Sequence, residues 1–264
     1  ITAIGEGSTT ITVSNTRKET IKIQVIVIKS KDYFKLSLYE FVGDTIYIAS
    51  KYDESNDLQI RFNKCMFNKL MTFSHIGIEG NSGEIPIVKR KNPQKTINVT
   101  VSDNIGPLWI SDRNMRRISW FGGNHKYDGE KENNVKTAYT ESYEFYADGK
   151  KLTDNAKGIA EKINIKVINK IYDPAFEIIE NGIVQGFSQT MCTEIVNYVI
   201  QEGNIEVSLT HEWSNETPYI IYRYYGMQTV TKGDYFFFPN GETPDFETTR
   251  KATGIIDSFP DFNR

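Results

Sequence analysis

Aromatic, imidazole and amide side chains are concentrated in one short segment, residues 120–129. It brings Trp120 and Tyr127 close to Asn124 and His125, with a glycine pair between them that favours a turn. Sugars are bound by flat aromatic rings that cover their C–H groups and by polar side chains that hydrogen-bond their hydroxyls. The segment therefore suits a saccharide site. It equally suits a structured surface loop in which Asn124 and His125 satisfy backbone groups.

Three arginines, Arg113, Arg116 and Arg117, lie just upstream of this segment. A guanidinium group binds a carboxylate or a sulfate through two parallel hydrogen bonds, so Arg113 and Arg116 could hold an acidic polysaccharide. The alternative is a solvated loop in which the arginines pair with nearby acidic residues.

A second candidate group lies towards the C-terminus. If residues 205–213 and 220–225 pair as a hairpin, polar side chains of the two strands, Tyr222 and Arg223 among them, would share one face. His211 could then act as an acid or a base. Glu212, one position later, would lie on the opposite face, which argues against a simple dyad of His211 and Glu212. A single histidine on a strand is also usually structural.

Composition and missing motifs limit the other functions. The formal net charge of −3 and a pI of about 5.8 argue against nucleic acid as a partner, because such proteins neutralise phosphates with a basic surface. No nucleotide-binding, zinc-peptidase or serine-hydrolase motif is present. Residues 128–134 do not have the spacing of a calcium loop. We therefore expect no cofactor, no metal and, without a long apolar run, no membrane insertion.

The two cysteines, Cys65 and Cys192, are far apart in the sequence and belong to no metal-ligand or disulfide pattern. One bridge is possible, but two buried free thiols fit the composition better.

Alternating apolar and polar residues predict strands along most of the chain. Ile21, Ile23, Val25 and Val27 give the two-residue period of a strand with one buried face. The same rhythm returns at intervals, with hairpin-type turns between, and one or two helical turns are expected at 154–161. The prediction is an all-β chain whose main body is a large antiparallel β-sandwich.

The opening sequence ITAIGEGSTTITV, followed by an alternating strand, resembles the C-terminal end of a bacterial Ig-like (group 2) domain over residues 1–28. The resemblance implies two domains, the end of an Ig-like domain at 1–28 and the β-sandwich at 29–264. Such domains are stalks and spacers in adhesins and phage tail proteins. It therefore implies a location outside the cell, on the cell surface or on a virion, with other domains or subunits of a larger protein as partners.

The segment IEVSLTHEWSNETPYIIYRYYGMQ, residues 205–228, resembles by pattern the galactose-mutarotase-like super-sandwich proteins, although the His-Pro-Tyr-Phe signature of that superfamily is missing. The superfamily includes sugar epimerases, parts of polysaccharide lyases and noncatalytic domains. Residues 120–129 with 143–150 also resemble structural proteins of phages and prophages. These resemblances imply a sheet that carries a sugar site, with His211 as the one residue matched to a catalytic position.

Three functions follow as expectations. The first is recognition of a glycan or polysaccharide by a surface or phage tail-type protein. The second is a carbohydrate-active enzyme, an epimerase, polysaccharide lyase or glycosidase, with His125 or His211 as base and Glu141, Glu194 or Tyr222 assisting. The third is a noncatalytic structural or assembly domain. The residues expected to bind the glycan are Arg113, Arg116, Trp120, Asn124, His125, Tyr127, Tyr222 and Arg223.

Overall fold

The computed structural model describes residues 7–14, 20–27, 33–92, 95–96, 98–103, 107–111, 118–127, 134–214, 219–224 and 228–231. The chain divides into two units, Ile1–Val230 and Thr231–Arg264, and only Thr231 of the second is among the described residues. The arginine cluster at 113–117 lies outside the described residues. Residues 235–238, where the apolar sequence YFFF predicts a further strand, also lie outside them. So do parts of the Ig-like segment, including residues 1–6.

The described residues form strands, with one short 3-10 helix at Tyr33–Lys35. The strands are β1 Gly7–Ser14, β2 Thr20–Val27, β3 Ser37–Val42, β4 Thr45–Asp53, β5 Asn56–Cys65, β6 Leu70–Gly80, β7 Lys95–Thr96, β8 Asn98–Asp103, β9 Leu108–Ser111, β10 Ile118–Phe121, β11 Ala138–Ala147, β12 Lys150–Lys151, β13 Lys157–Ala160, β14 Lys162–Tyr172, β15 Glu177–Glu180, β16 Ile183–Phe187, β17 Thr190–Gln201, β18 Asn204–Trp213, β19 Ile220–Tyr224 and β20 Gln228–Thr231. The all-β prediction is therefore confirmed.

Two large antiparallel sheets form the main layers. One has six strands in the order β13-β3-β4-β5-β6-β7, and the other has five in the order β12-β11-β14-β17-β18. A three-stranded sheet, β10-β9-β19, and the two-stranded sheets β1-β2, β15-β16 and β20-β8 complete the described strands.

The main core lies between the two large sheets, because most side chains at every second position of their strands are apolar and point inward. On β14, for example, Ile163, Ile165 and Val167 are buried. Aromatic rings from the two sheets meet edge to face, with the ring centres of Phe62 and Tyr198 4.9 Å apart. The architecture is the sandwich that the alternation predicts.

A second core supports the three-stranded sheet. It contains Leu108 and Ile110 of β9 and Phe121 of β10, with Tyr127 and Phe187. All five are buried, and the rings of Phe121 and Phe187 lie 5.1 Å apart. This core fixes which face of the small sheet is turned inward, and so which side chains the other face presents.

The outer face of the six-stranded sheet is covered by an irregular segment, residues 81–92, which we call the strap. Gln59 of β5 donates to the carbonyl of Ile87 at 2.8 Å and accepts from the amide of Lys89 at 3.0 Å. Lys51 and Asp57, also on this face, form a buried ion pair at 3.1 Å. Side-chain hydrogen bonds, rather than a strand ladder, thus hold the strap to the sheet.

Two sequence-based predictions are wrong. Residues 154–161 do not form helical turns: Asp154 and Asn155 lie in a turn, and β13 follows as the edge strand next to β3. The stretch 205–213 does not pair with 220–225. Its partner is β17, reached through the tight turn at Glu202–Gly203, whereas β19 pairs with β9. The tight turn forms the β17-β18 hairpin locally, and the later strand is left to join the small sheet.

Candidate functional site

The outer face of the three-stranded sheet carries a group of rings that we call the aromatic row, Trp109, Trp120 and His125. Trp109 on β9 lies directly opposite Trp120 on β10, and their ring centres are 4.6 Å apart. Their neighbours on each strand are buried, so alternation turns both indoles outward, where they are partly exposed. Trp109 was not among the residues predicted from the sequence.

A glycine turn places His125 against Trp120. Gly122 and Gly123 both have positive φ, 84° and 50°, a conformation that glycine adopts without steric cost. The turn brings the amide of His125 to the carbonyl of Gly122 at 3.2 Å. The imidazole then stacks on the indole of Trp120 with ring centres 5.3 Å apart and planes 29° apart. The predicted neighbours Trp120 and His125 therefore do come together.

Two other predicted ligand contacts are engaged within the protein. The side-chain oxygen of Asn124 accepts the amide of Phe67 at 2.6 Å, which fastens the loop to the end of β5. Tyr127 is 1% exposed, and its hydroxyl donates to Glu177 at 2.8 Å. Tyr127, expected to stack on a ligand, is instead part of the second core, because its ring packs against Phe121 and Phe187.

Strand β19 adds the predicted residues Tyr222 and Arg223 to this sheet, and both are exposed. Arg223 lies directly opposite Trp109, so the aromatic row ends beside a guanidinium group. The other predicted cations, Arg113 and Arg116, are outside the described residues.

A different polar group crosses the inner face of the five-stranded sheet. Thr140, Asn169, Glu194 and His211 are directly opposite one another on four successive strands, and we call them the polar row. The hydroxyl of Thr140 donates to Asn169 at 2.7 Å, and Asn169 donates to Glu194 at 2.9 Å. The second oxygen of Glu194 lies 3.2 Å from Nε2 of His211. The row is anchored to the opposite sheet by the amide of Met71, which donates to Thr140 at 2.9 Å.

The polar row leads from the interior towards the surface. The Glu194 side chain is 1% exposed, whereas that of His211 is 13% exposed. The rings of Trp213 and Tyr224 lie 5.7 and 5.4 Å from the imidazole. Burial, followed by the nearby Glu194 carboxylate, raises the pKa of Tyr224 to about 12. A carboxylate that orients an imidazole is an arrangement used in general acid–base chemistry.

The remaining acidic candidate, Glu141, is separate from this group. It lies at the bulge in β11 between Thr140 and Ser142 and is exposed. Its carboxylate pairs with Lys170 at 3.6 Å. The structure therefore joins His211 to Glu194, and not to Glu141.

The cavities lined by described residues include one that reaches the polar row at Asn169. A groove of about 350 Å³ lies between the strap and the edge of the six-stranded sheet, lined by Leu38, Glu40, Ile87 and Lys157 among others. A cavity of about 20 Å³ touches Asn124 and Asn169, which is room for a water molecule.

Within the described ranges, no group of three or more His, Cys, Asp or Glu side chains could hold a metal ion. The same residues contain no helix that is long and apolar enough to cross a membrane. No protein-family model, curated protein or solved structure matches this chain.

Proposed function

We propose that this chain recognises glycans and that the aromatic row is the binding surface. The observation that carries the proposal is the cross-strand pair of Trp109 and Trp120, two partly exposed indoles on the outer face of a sheet whose inner face is a packed core. Indole rings offer flat apolar surface for the C–H groups of a sugar, and a rigid sheet fixes them without a large entropy cost on binding.

The residues around the indoles supply the polar part of such a site. His125 stacks on Trp120, and Arg223 flanks Trp109, so hydrogen-bonding groups stand at both ends of the pair. The resemblance of residues 1–28 to an Ig-like domain, and of 120–129 to phage structural proteins, supports a role on a cell surface or a virion. In that setting the chain is one part of a larger protein, and the glycan is its external partner.

The test is a glycan array followed by calorimetry on the best binder. Replacing Trp109 or Trp120 with alanine should weaken binding by roughly tenfold or more, the usual effect of truncating a central tryptophan of an interface. Tyr52→Ala is the matched control, since Tyr52 is an exposed aromatic residue, 57% exposed, on the six-stranded sheet. An array without any binder, or tryptophan variants that bind as well as the parent, would contradict the proposal.

A second candidate function, a carbohydrate-active enzyme, is favoured by one observation, the 3.2 Å contact between Glu194 and His211. His211 would remove or supply a proton on a sugar, with Glu194 holding the imidazole in place. The test is product release from a panel of polysaccharides, followed by mass spectrometry. Activity should fall strongly in His211→Ala and Glu194→Gln and persist in His125→Ala. A panel with no turnover would exclude this function and leave glycan binding standing.

A further inference from the structure

Strand β19 contains a bulge at the point where it meets the aromatic row. Ile220 and Ile221 pair with Ser111 and Ile110 of β9. The next residue of β9, Trp109, pairs with Arg223 instead of Tyr222. One extra residue is therefore inserted into β19. Such bulges re-aim the side chains that follow them and are common next to functional sites.

The bulge decides which side chains face which way. With regular pairing, Tyr222 would lie opposite Trp109, and Arg223 would lie opposite Leu108, which is 1% exposed in the second core. The bulge instead puts Arg223 on the face of Trp109 and turns Tyr224 to the inner side.

The contact of Tyr224 supports this assignment of faces. Its ring lies 5.4 Å from that of His211, on the inner side of the five-stranded sheet. Since neighbouring side chains on a strand point in opposite directions, Arg223 must point away from His211 and towards the outer face. It is exposed there, beside two indoles and in line with both.

Among the described residues, no acidic side chain forms an ion pair with Arg223. Arginine keeps its charge at any physiological pH, and its planar group matches a carboxylate or a sulfate through two hydrogen bonds. The surface thus combines an apolar platform with an anion-binding group at one end.

We infer that the glycan bound by the aromatic row is anionic, with a carboxylate or sulfate on Arg223 and a neighbouring sugar ring on Trp109. This inference rests on the proposed function and names its ligand class. The ligands it selects are sugars such as uronates, sialates and sulfated oligosaccharides, in preference to neutral ones.

The experiment is a glycan array printed with neutral, uronate-containing, sialylated and sulfated oligosaccharides, probed with the parent chain and with Arg223→Gln. The carboxylated and sulfated arms distinguish the two sources of the anion. Arg223→Gln should weaken binding of the acidic glycans by roughly tenfold to a hundredfold, the usual value of a charged hydrogen-bonded contact. Arg223→Lys should retain part of the affinity, since it keeps the charge but loses the two-pronged contact.

Arg90→Gln is the matched control, an arginine about half exposed on the strap. If the array shows mainly neutral binders, and Arg223→Gln binds them like the parent while Trp109→Ala does not, the ligand class is wrong and the proposed function stands. If no glycan binds at all, both fail. If acidic glycans bind but Arg223→Gln is unaffected, the assignment of the anion to Arg223 is overturned.

Discussion

Two buried carboxylates, Asp57 and Glu194, lie in the two large sheets and have different surroundings, Asp57 on an outer face under the strap and Glu194 on an inner face. Asp57 is paired with Lys51, and it also accepts from the side chain of Asn81 and the amide of Ile87, both at 2.8 Å. All of these partners fasten the strap. Glu194 is held by Asn169, and beyond it lies His211, which reaches the surface beside aromatic rings.

The comparison shows that burial of an acid does not by itself mark a functional site. What matters is where its hydrogen bonds lead. The bonds of Asp57 close on the side chain of Asn81, the amide of Ile87 and a lysine whose side chain is 0% exposed, so they stabilise one arrangement. The bonds of Glu194 run along the polar row to a titratable ring that solvent can reach. The first arrangement stabilises the strap, and the second connects a buried carboxylate to a partly exposed imidazole.

The largest effect is expected from Asp57→Ala. It leaves the buried ammonium of Lys51 without its counter-charge, which costs about 3–5 kcal/mol when one partner of a buried pair is removed. Urea unfolding measures the loss, and Lys51→Met in the same variant should restore part of it by removing the unpaired charge. Lys151→Ala, which breaks an ion pair on the surface, should leave the unfolding midpoint unchanged. A loss as small as that of Lys151→Ala would contradict the structural role of the Asp57 pair.

Glu194→Leu is expected to cost less, about 1–3 kcal/mol, because it leaves hydrogen-bonding groups rather than a fixed charge without a partner. The groups concerned are the amide of Asn169 and the imidazole of His211, and the latter can turn to water. Glu212→Leu is the matched control, since Glu212 is the exposed neighbour of His211 on the same strand. If Glu194→Leu were as damaging as Asp57→Ala, the contrast between the two carboxylates would disappear.

Tyr198→Phe measures how much a single neutral hydrogen bond in the main core contributes to the free energy of unfolding. The hydroxyl of Tyr198 lies 3.2 Å from that of Thr72, and the ring packs on Phe62 and Phe73. Since phenylalanine keeps this packing, only the hydrogen bond is lost, and the free energy of unfolding should fall by about 1 kcal/mol. A fall of several kcal/mol in urea unfolding would mean that the hydroxyl does more than bond to Thr72.

How much of the fold and of the candidate site could be predicted from the sequence depends on how far apart in the chain the interacting residues lie. The alternation of Ile163, Ile165 and Val167 predicts a strand with one buried face, and the structure confirms it. The meeting of Glu194 and His211 also has a local signal. Both lie equally far from the tight turn at Glu202–Gly203, so a hairpin closed there puts them opposite each other.

No local pattern in the sequence predicts the aromatic row or the position of Arg223 beside it. Trp109 and Arg223 are brought together by pairing between strands that are distant in the chain, and a local pattern does not fix that register. The bulge at Tyr222 shifts the register by one more residue, which puts Arg223 instead of Tyr222 opposite Trp109. A contact between residues distant in the chain also decides the position of Tyr127. Its sequence neighbours suggested a binding loop, but packing against Phe187, far along the chain, buries it.

The smallest effect concerns the two thiols, which are free in the structure, with Cys192 buried and Cys65 partly so. Burial raises the pKa of Cys65 to about 11 and that of Cys192 to about 12, from an ordinary value of 9.0. Between these values the unfolded chain loses protons that the folded chain keeps, so stability is present below pH 9 and falls as the pH rises towards 11. At pH 9 the loss should be on the order of half a kcal/mol for each thiol.

Urea unfolding of the parent chain between pH 7 and 9.5 measures this dependence. The double variant Cys65→Ala with Cys192→Ala should have a lower stability at pH 7 and a flatter profile over the same range. A parent profile as flat as that of the variant would show that the thiols ionise alike in both states.

The way the strap is fastened has a consequence for amide exchange with solvent. The N–H groups of Ile87 and Lys89 are bonded to the side chains of Asp57 and Gln59, not to a neighbouring strand. Protection along this segment should therefore appear at alternate amides. Each protected amide should lose its protection through one substitution, Ile87 with Asp57→Ala and Lys89 with Gln59→Leu, while the ladder between β4 and β5 keeps its slow exchange.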